Sequence, residues 1–177
     1  MPMMMLTLMV LVATPALEQV TTVPVPAKAL PGLVAETDQA FRVKGGPLDG
    51  RHLFFASVDR DGAPTAGRAP SFVVASGEDV LGIVPLPGLI EGWNVVQVLA
   101  VGTTAPPRKD VALRVLAVLT LEPMSGRSSD YWNQGFVIDV LADGHVVVDA
   151  ALNKALAEAK PRPETIKAMR AFLATRR

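Results

Sequence analysis

The chain has 177 residues, enough for one domain with a sizeable hydrophobic core. It carries 17 basic and 17 acidic residues, and this balance lacks the basic excess that nucleic-acid-binding proteins use. The absence of cysteine excludes disulfides and thiolate metal sites.

Residues 1–30 are an apolar segment that becomes proline-spaced at TTVPVP, residues 21–26. We weigh a cleaved secretion signal, a buried β-strand and an arm that docks on a neighbouring subunit. A secretion signal needs a positive charge before its apolar run, and no Lys or Arg precedes Leu6, although Thr14-Pro15-Ala16 resembles a cleavage site. We therefore expect a retained strand or arm. The apolar run is also too short to span a bilayer.

Residues 31–149 consist of short β-branched or alternating runs cut by Gly and Pro, which is typical of β-sandwiches and barrels. The sequence predicts a mainly β domain, either a single β-barrel or a jelly-roll-like sandwich. With the two strands expected in the N-terminal segment, the predicted strands are Leu6–Val12, Gln19–Val25, Phe41–Lys44, His52–Val58, Ser71–Ala75, Val80–Val84, Val95–Val101, Val111–Leu121, Phe136–Leu141 and His145–Val148.

Two features refine this strand prediction. Asp143-Gly144 stands between two apolar runs and predicts a tight hairpin. The runs Val95–Val101 and Val111–Leu121 are almost continuously apolar, so we expect their strands to be covered on both faces or to face a partner subunit.

Residues 150–177 change to a helical pattern. Ala150 to Lys160 and Glu164 to Thr175 favour helices, and Pro161 and Pro163 separate them. From residue 154 onward seven basic residues stand against two acidic ones. We interpret this excess as a solvated helix face, with docking on an acidic surface, on nucleic acid or on an anionic lipid membrane as the alternative.

No motif for catalysis or cofactor binding is present: the G-x-S-x-G elbow and the phosphate-binding glycine patterns are missing. The best candidate for a metal or catalytic cluster is Asp139, Asp143, His145 and Asp149, which strand alternation could bring near one another. We interpret these four as exposed polar residues. The sequence therefore predicts a protein that is not an enzyme and has no metal, cofactor or catalytic residues.

Aromatic residues are scarce, at 5% of the chain, and Tyr131 and Trp132 are adjacent in a predicted loop. Aromatic residues with polar neighbours are enriched at protein interfaces. We predict an interface that includes Tyr131, Trp132, Trp93, Val23 and Val25. Burial against the domain's own core and a small-ligand site are the alternatives for the loop.

In composition and in the alternating strand pattern from Leu6 to Val148, the chain resembles bacteriophage coat proteins of the single β-barrel kind. The resemblance includes no diagnostic motif and assigns no residue a role. It implies a non-enzymatic capsid or decoration subunit that assembles in a virion with its own copies and other coat subunits, without specific nucleic-acid binding. The scarcity of Asn and Gln is typical of a GC-rich genome or a hot habitat.

The alternative function is a secreted or periplasmic β-sandwich binding module that loses residues 1–16. A proline-rich arm favours the assembly interpretation, because an already extended segment loses less entropy when it is laid on a neighbour.

Overall fold

The computed structural model describes residues 15–24, 33–58, 69–86, 93–123 and 131–176. These residues form two antiparallel sheets followed by two helices. The first sheet contains, in spatial order, β1 (Ala16–Gln19), β2 (Leu33–Lys44), β3 (His52–Val58), β4 (Ala69–Ser76) and β5 (Asp79–Pro85). The second contains β6 (Trp93–Thr104), β7 (Val111–Pro123), β8 (Trp132–Leu141) and β9 (Val146–Val147), and the helices are α1 (Ala150–Glu158) and α2 (Ile166–Ala174).

This architecture confirms the predicted mainly β class with a short C-terminal helical part. Of the two predicted arrangements the sandwich is the one found, since no strand pairing among the described residues closes the sheets into a barrel. Each strand pairs with its neighbours in sequence, so both sheets are meanders. That order differs from the Greek-key order of a jelly roll.

The main core lies between the two sheets. Along β3, Leu53 and Phe55 face this core, while Phe54 and Ala56 face the opposite side of the first sheet. The alternation follows from the two-residue period of a strand. Apolar side chains of β7 and β8 complete the core, among them Val115, Ala117, Leu119, Phe136 and Ile138.

Strand β7 is covered on both faces, as its apolar run predicts. Its outward-facing Leu116 and Val118 pack against Leu156 of α1 and Met169 of α2. Both helices begin at residues that accept a hydrogen bond from a free backbone amide: Asp149 from Leu152 and Thr165 from Ala168. The layers are therefore sheet, sheet and helices.

Strand β6 is an edge strand among the described residues and has two β-bulges, so it is not covered on both faces, and the alternative that it faces a partner subunit stays a prediction. The bulges lie between Val95 and Gln97 and between Val98 and Ala100, each placing one extra residue opposite β7. Those extra residues, Val96 and Leu99, are exposed, while Val95 and Val98 remain in the core. The apolar run of β6 thus supplies both core contacts and exposed surface.

The N-terminal strand predictions are only partly testable. Leu6–Val12 lies outside the described residues. The prediction for Gln19–Val25 is wrong, since the strand is Ala16–Gln19. Pairing with β2 ends one residue later, where the amide of Val20 donates to the carbonyl of Ala40 at 2.9 Å beside the bulge in β2. The following residues lie against the outer face of the first sheet, where Val20 and Val23 contact a cluster that includes Phe54.

Strand β2 is longer than predicted, beginning at Leu33 rather than Phe41. Its polar residues 36–39 break the apolar pattern, and they fall where the register with β3 shifts between Ala35 and Ala40. Pairing resumes on either side of that irregularity. A bulge can therefore hide a strand from a search for alternation.

The turn at Asp143-Gly144 is confirmed, with the amide of Gly144 donating to the carbonyl of Leu141 at 3.0 Å. Gly144 has a φ of 92°, a conformation that favours glycine. This turn lies close to the edge strand of the first sheet: a Cβ on Gly82 of β5 would stand 2.6 Å from the carbonyl oxygen of Gly144. The absence of side chains here allows the edges of the two sheets to approach.

The two C-terminal helices are confirmed near their predicted bounds. In the part of the chain that the structure describes, no helix is long and apolar enough to cross a bilayer.

Candidate functional site

The residues of the predicted interface occupy different places. Tyr131 is exposed over 59% of its surface. Trp93 and Trp132 are half-buried and stack on each other, with ring centroids 3.7 Å apart and an interplanar angle of 32°. Val23 packs on its own first sheet, and Val25 lies outside the described residues. The interface role of these residues stays a prediction.

The tryptophan stack is extended by an arginine that the sequence analysis did not single out. The guanidinium carbon of Arg162 lies 4.4 Å from the centroid of the Trp132 ring, a cation–π distance. Its Nε donates to the carbonyl of Ala157, at the end of α1, at 3.1 Å. Arg162 is therefore held in one orientation by a ring and a backbone carbonyl.

A separate surface lies on the same face of the second sheet as the two helices, on a part of that face that the helices do not cover. It consists of exposed Val96, Leu99 and Tyr131 around the half-buried pair Thr120 and Asn133, whose side chains share a hydrogen bond of 3.1 Å. Cross-strand register supports this grouping, because core-facing Val95, Leu121 and Trp132 lie side by side, and their chain neighbours Val96, Thr120, Tyr131 and Asn133 therefore point outward. By the same register Glu122, the other neighbour of Leu121, and Gln97, the partner of Thr120, border the group on this face. We call Val96, Leu99, Thr120, Tyr131 and Asn133 the outer-face patch.

The four residues of the candidate carboxylate–imidazole cluster have separate partners. Asp143, His145 and Asp149 are exposed, as interpreted, but that interpretation is wrong for Asp139, which is buried. Asp143 and His145 pair with each other on the surface, with Asp143 Oδ2 3.0 Å from His145 Nδ1. A hydrogen bond from the backbone amide of His145 is the main cause that holds the pKa of Asp143 below its ordinary value. Asp149 caps α1, and Asp139 points to Arg114. Strand alternation placed them near one hairpin but could not show these separate partners.

Asp139 and Arg114 form a buried ion pair directly across β7 and β8. Arg114 Nε lies 2.6 Å from Asp139 Oδ1, and Nη2 lies 2.7 Å from Oδ2. The two side chains are only 11% and 6% exposed. The pair lines a cleft of about 770 Å³ between the loop that follows β6 and the C-terminal helices, whose rim includes Arg108 and Arg176.

His52 occupies a different environment from exposed His145. It begins β3 opposite Arg42 of β2, and its Nδ1 is buried with no hydrogen-bond partner in the described chain. Burial, and secondly the positive charge of Arg42, hold the pKa of His52 below its ordinary value of 6.5. The folded protein therefore favours the neutral imidazole.

This shift makes stability depend on pH. Since the unfolded chain binds the proton of His52 at a higher pH than the folded protein, the free energy of unfolding should fall as the pH drops below about 6.5. We expect His52→Gln to lose part of that fall, measured by urea unfolding at about pH 8 and about pH 5. Arg42→Gln should reduce the fall to a smaller extent. An identical pH dependence in wild type and His52→Gln would refute the assignment.

No metal site is evident among the residues described, where no three His, Cys, Asp or Glu side chains are grouped to hold an ion. Comparisons with protein-family models, with curated proteins and with solved structures give no match. The fold class is a two-sheet antiparallel β-sandwich with two helices on one face. Functional inference therefore rests on the surfaces of the chain itself.

Proposed function

We propose that this chain is a non-enzymatic structural subunit that self-associates through the outer-face patch. The observation that supports the proposal is the grouping of exposed apolar side chains. Five large apolar residues of the described chain are exposed, and Val96, Leu99 and Tyr131 belong to this patch, at 50%, 43% and 59% exposure. Grouped exposed apolar residues mark interaction surfaces, whereas single ones are ordinary.

The occupant that we propose for the patch is a second copy of the same patch. Its five residues are apolar, hydroxyl or amide-bearing and include no charge. Two copies related by a two-fold axis would therefore bring no like charges of these five residues together, and Glu122 is the charged residue that borders the patch on β7. The bulges in β6 interrupt its edge, so contact through side chains is favoured over continuous pairing of β6 with its own copy.

The assembly that we propose is the coat of a virion, where the chain would serve as a capsid or decoration subunit beside other coat subunits. This finer step rests on the resemblance in composition and strand pattern. A β-sandwich that presents apolar side chains on an outer face is compatible with such packing. The basic C-terminal region is a candidate contact for an acidic surface or a membrane in the same assembly.

The first test is light scattering on native protein, which we expect to report an oligomer. Val96→Asp and Leu99→Asp together should weaken self-association about 30-fold or more, because each puts a charge among the apolar side chains of the proposed interface. Circular dichroism would confirm that the variant keeps its sheet content.

Ile83→Asp is the matched control, since Ile83 is an exposed apolar residue of the other sheet's edge strand, at 36% exposure. It should leave the oligomer intact. A wild-type protein that stays monomeric at every concentration would refute self-association, and equal loss in the control would refute the patch as its site.

A further inference from the structure

A second cleft, of about 480 Å³, lies between β8 and α1 and is independent of the outer-face patch. Trp93, Trp132 and Phe136 form its aromatic wall, Val148, Ala150 and Ala157 add apolar surface, and its polar lining is Gln134, Asn153, Lys154 and Arg162. The cleft occurs where β8 has no partner strand on one side among the described residues: β9 pairs there only with Asp139 and Val140. Helix α1 covers the next part of that edge.

The charge of this cleft is one-sided. Two lining residues, Lys154 and Arg162, are cationic, and none of the ten lining residues is a carboxylate. Lys154 Nζ is 3.8 Å from Glu158 Oε1, a loose contact on the helix surface. Arg162 has no carboxylate partner in the described chain. The cleft therefore offers positive charge beside an apolar wall.

Arg162 is also fixed in place before any ligand arrives. Its ring contact with Trp132 and its bond from Nε to the carbonyl of Ala157 leave both Nη groups without a described acceptor. Two guanidinium N–H groups in a plane match the two oxygens of a carboxylate, or two of a phosphate. A held arginine loses less conformational freedom on binding than a mobile one.

Trp132 supplies the independent sign that the cleft accepts a ligand, because its Nε1 is buried and has no hydrogen-bond partner in the described chain. Gln134 also lines the cleft and is only 6% exposed, and no described side-chain hydrogen bond engages its amide. Neighbouring Asn153 differs, since its amide is fully engaged with the backbone of Val137 and Asp149. A buried indole N–H without a partner is costly, and such groups are usually satisfied by water or a ligand.

From these observations we propose that the cleft binds a small organic anion with an apolar tail. The anionic head would accept hydrogen bonds from Arg162 and attraction from Lys154, the amide of Gln134 would bond a head oxygen, and the tail would lie on Phe136 and Val148. A carboxylate and a phosphate monoester share this chemistry. Their relative affinity identifies the head that the site prefers.

The test uses hexanoate and hexyl phosphate as probes, with hexanol as the neutral comparison. The chain contains two tryptophans, and both line the cleft, so intrinsic fluorescence reports on this site directly. At least one anionic probe should give a saturable change below about 10 mM, and hexanol should bind about tenfold more weakly or worse. Calorimetry would supply an affinity that does not depend on the tryptophans.

Substitutions in the cleft and outside it test whether the anionic probe binds at this site. Arg162→Met and Gln134→Leu should each weaken the anionic probe about tenfold. Arg170→Met is the matched control, because Arg170 is a basic residue of α2 that donates to the carbonyl of Thr103 outside this cleft. It should leave the affinity unchanged. No saturable response to either anion, equal binding of hexanol, or full affinity in Arg162→Met would overturn the proposal.

Discussion

Asp139→Asn is expected to lower the free energy of unfolding by about 3 kcal/mol or more, because it leaves the charge of Arg114 buried without a counterion. The wild-type pair is bidentate, with distances of 2.6 and 2.7 Å, and both side chains are nearly buried under the C-terminal helices. An asparagine keeps the size and one acceptor but removes the negative charge. Urea unfolding at fixed protein concentration measures the loss.

Replacing both partners distinguishes the contribution of the two charges to stability from the contribution of the volume that the two side chains fill. In Arg114→Met with Asp139→Leu, no charge remains to be left alone, and apolar replacement of a buried pair is often neutral or stabilising. We expect the double variant to regain most of the stability lost by Asp139→Asn. A loss below about 1 kcal/mol in the single variant would mean that water in the adjoining cleft solvates Arg114.

The parts of the fold that were predictable are those in which one local rule decides. Alternation and flanking turns located β3 and β4, and continuous hydrophobicity located β7, because helices and the first sheet cover its two faces. The change of period after Asp149 located the helices. In each case neighbouring residues determine the element.

The parts that were missed depend on partners distant in the chain. The bulges in β6 place Val96 and Leu99 on the surface, but a run of apolar residues is equally consistent with complete burial. Strand β1 ends at Gln19 because of its register with β2, which no property of residues 19–25 reveals. Register and bulges depend on both strands of a pair, so the sequence of one strand does not determine them.

The candidate sites also combine features that the local sequence indicates with features that depend on residues distant in the chain. Scarce aromatics drew attention to Trp132, but its contact with Trp93 follows from the order of β6, β7 and β8. Arg162 belongs to the basic excess that the sequence assigns to a solvated helix face, but it lies between α1 and α2 and packs on an indole ring. The two prolines around it were the available signal, since they exclude it from a helix interior.

Asn153→Leu is expected to cost about 2–5 kcal/mol, although Asn153 lies on a helix and its described hydrogen bonds all go to backbone atoms. Its Oδ1 accepts from the amide of Val137 at 2.7 Å, and its Nδ2 donates to the carbonyl of Val137 at 2.9 Å. The Asn153 side chain thus makes the two backbone hydrogen bonds of Val137 that a neighbouring strand would otherwise make. Leucine fills similar space but leaves both backbone groups of Val137 buried and unpaired.

Asn153→Asp tests whether the donated hydrogen bond matters separately. The new carboxylate can still accept from the amide of Val137, but its second oxygen would face the carbonyl of Val137 without a proton between them. Protonation restores the donor, so folding should raise the pKa of the new carboxyl above its unfolded value of about 3.9. Its stabilising contribution is then present below that pH and lost as the pH rises through the folded pKa.

Relative to wild type, Asn153→Asp should therefore be less destabilised at about pH 4 than at about pH 7, with urea midpoints as the measurement. Lys154→Leu is the control, because Lys154 is the exposed neighbour on α1 and should change stability by less than about 0.5 kcal/mol. A small cost for Asn153→Leu would mean that the edge of β8 is satisfied by water. In that case the packing of Leu156 against Val137 and Leu116 would be the main contact that holds α1. The side-chain amide of Asn153 would be dispensable.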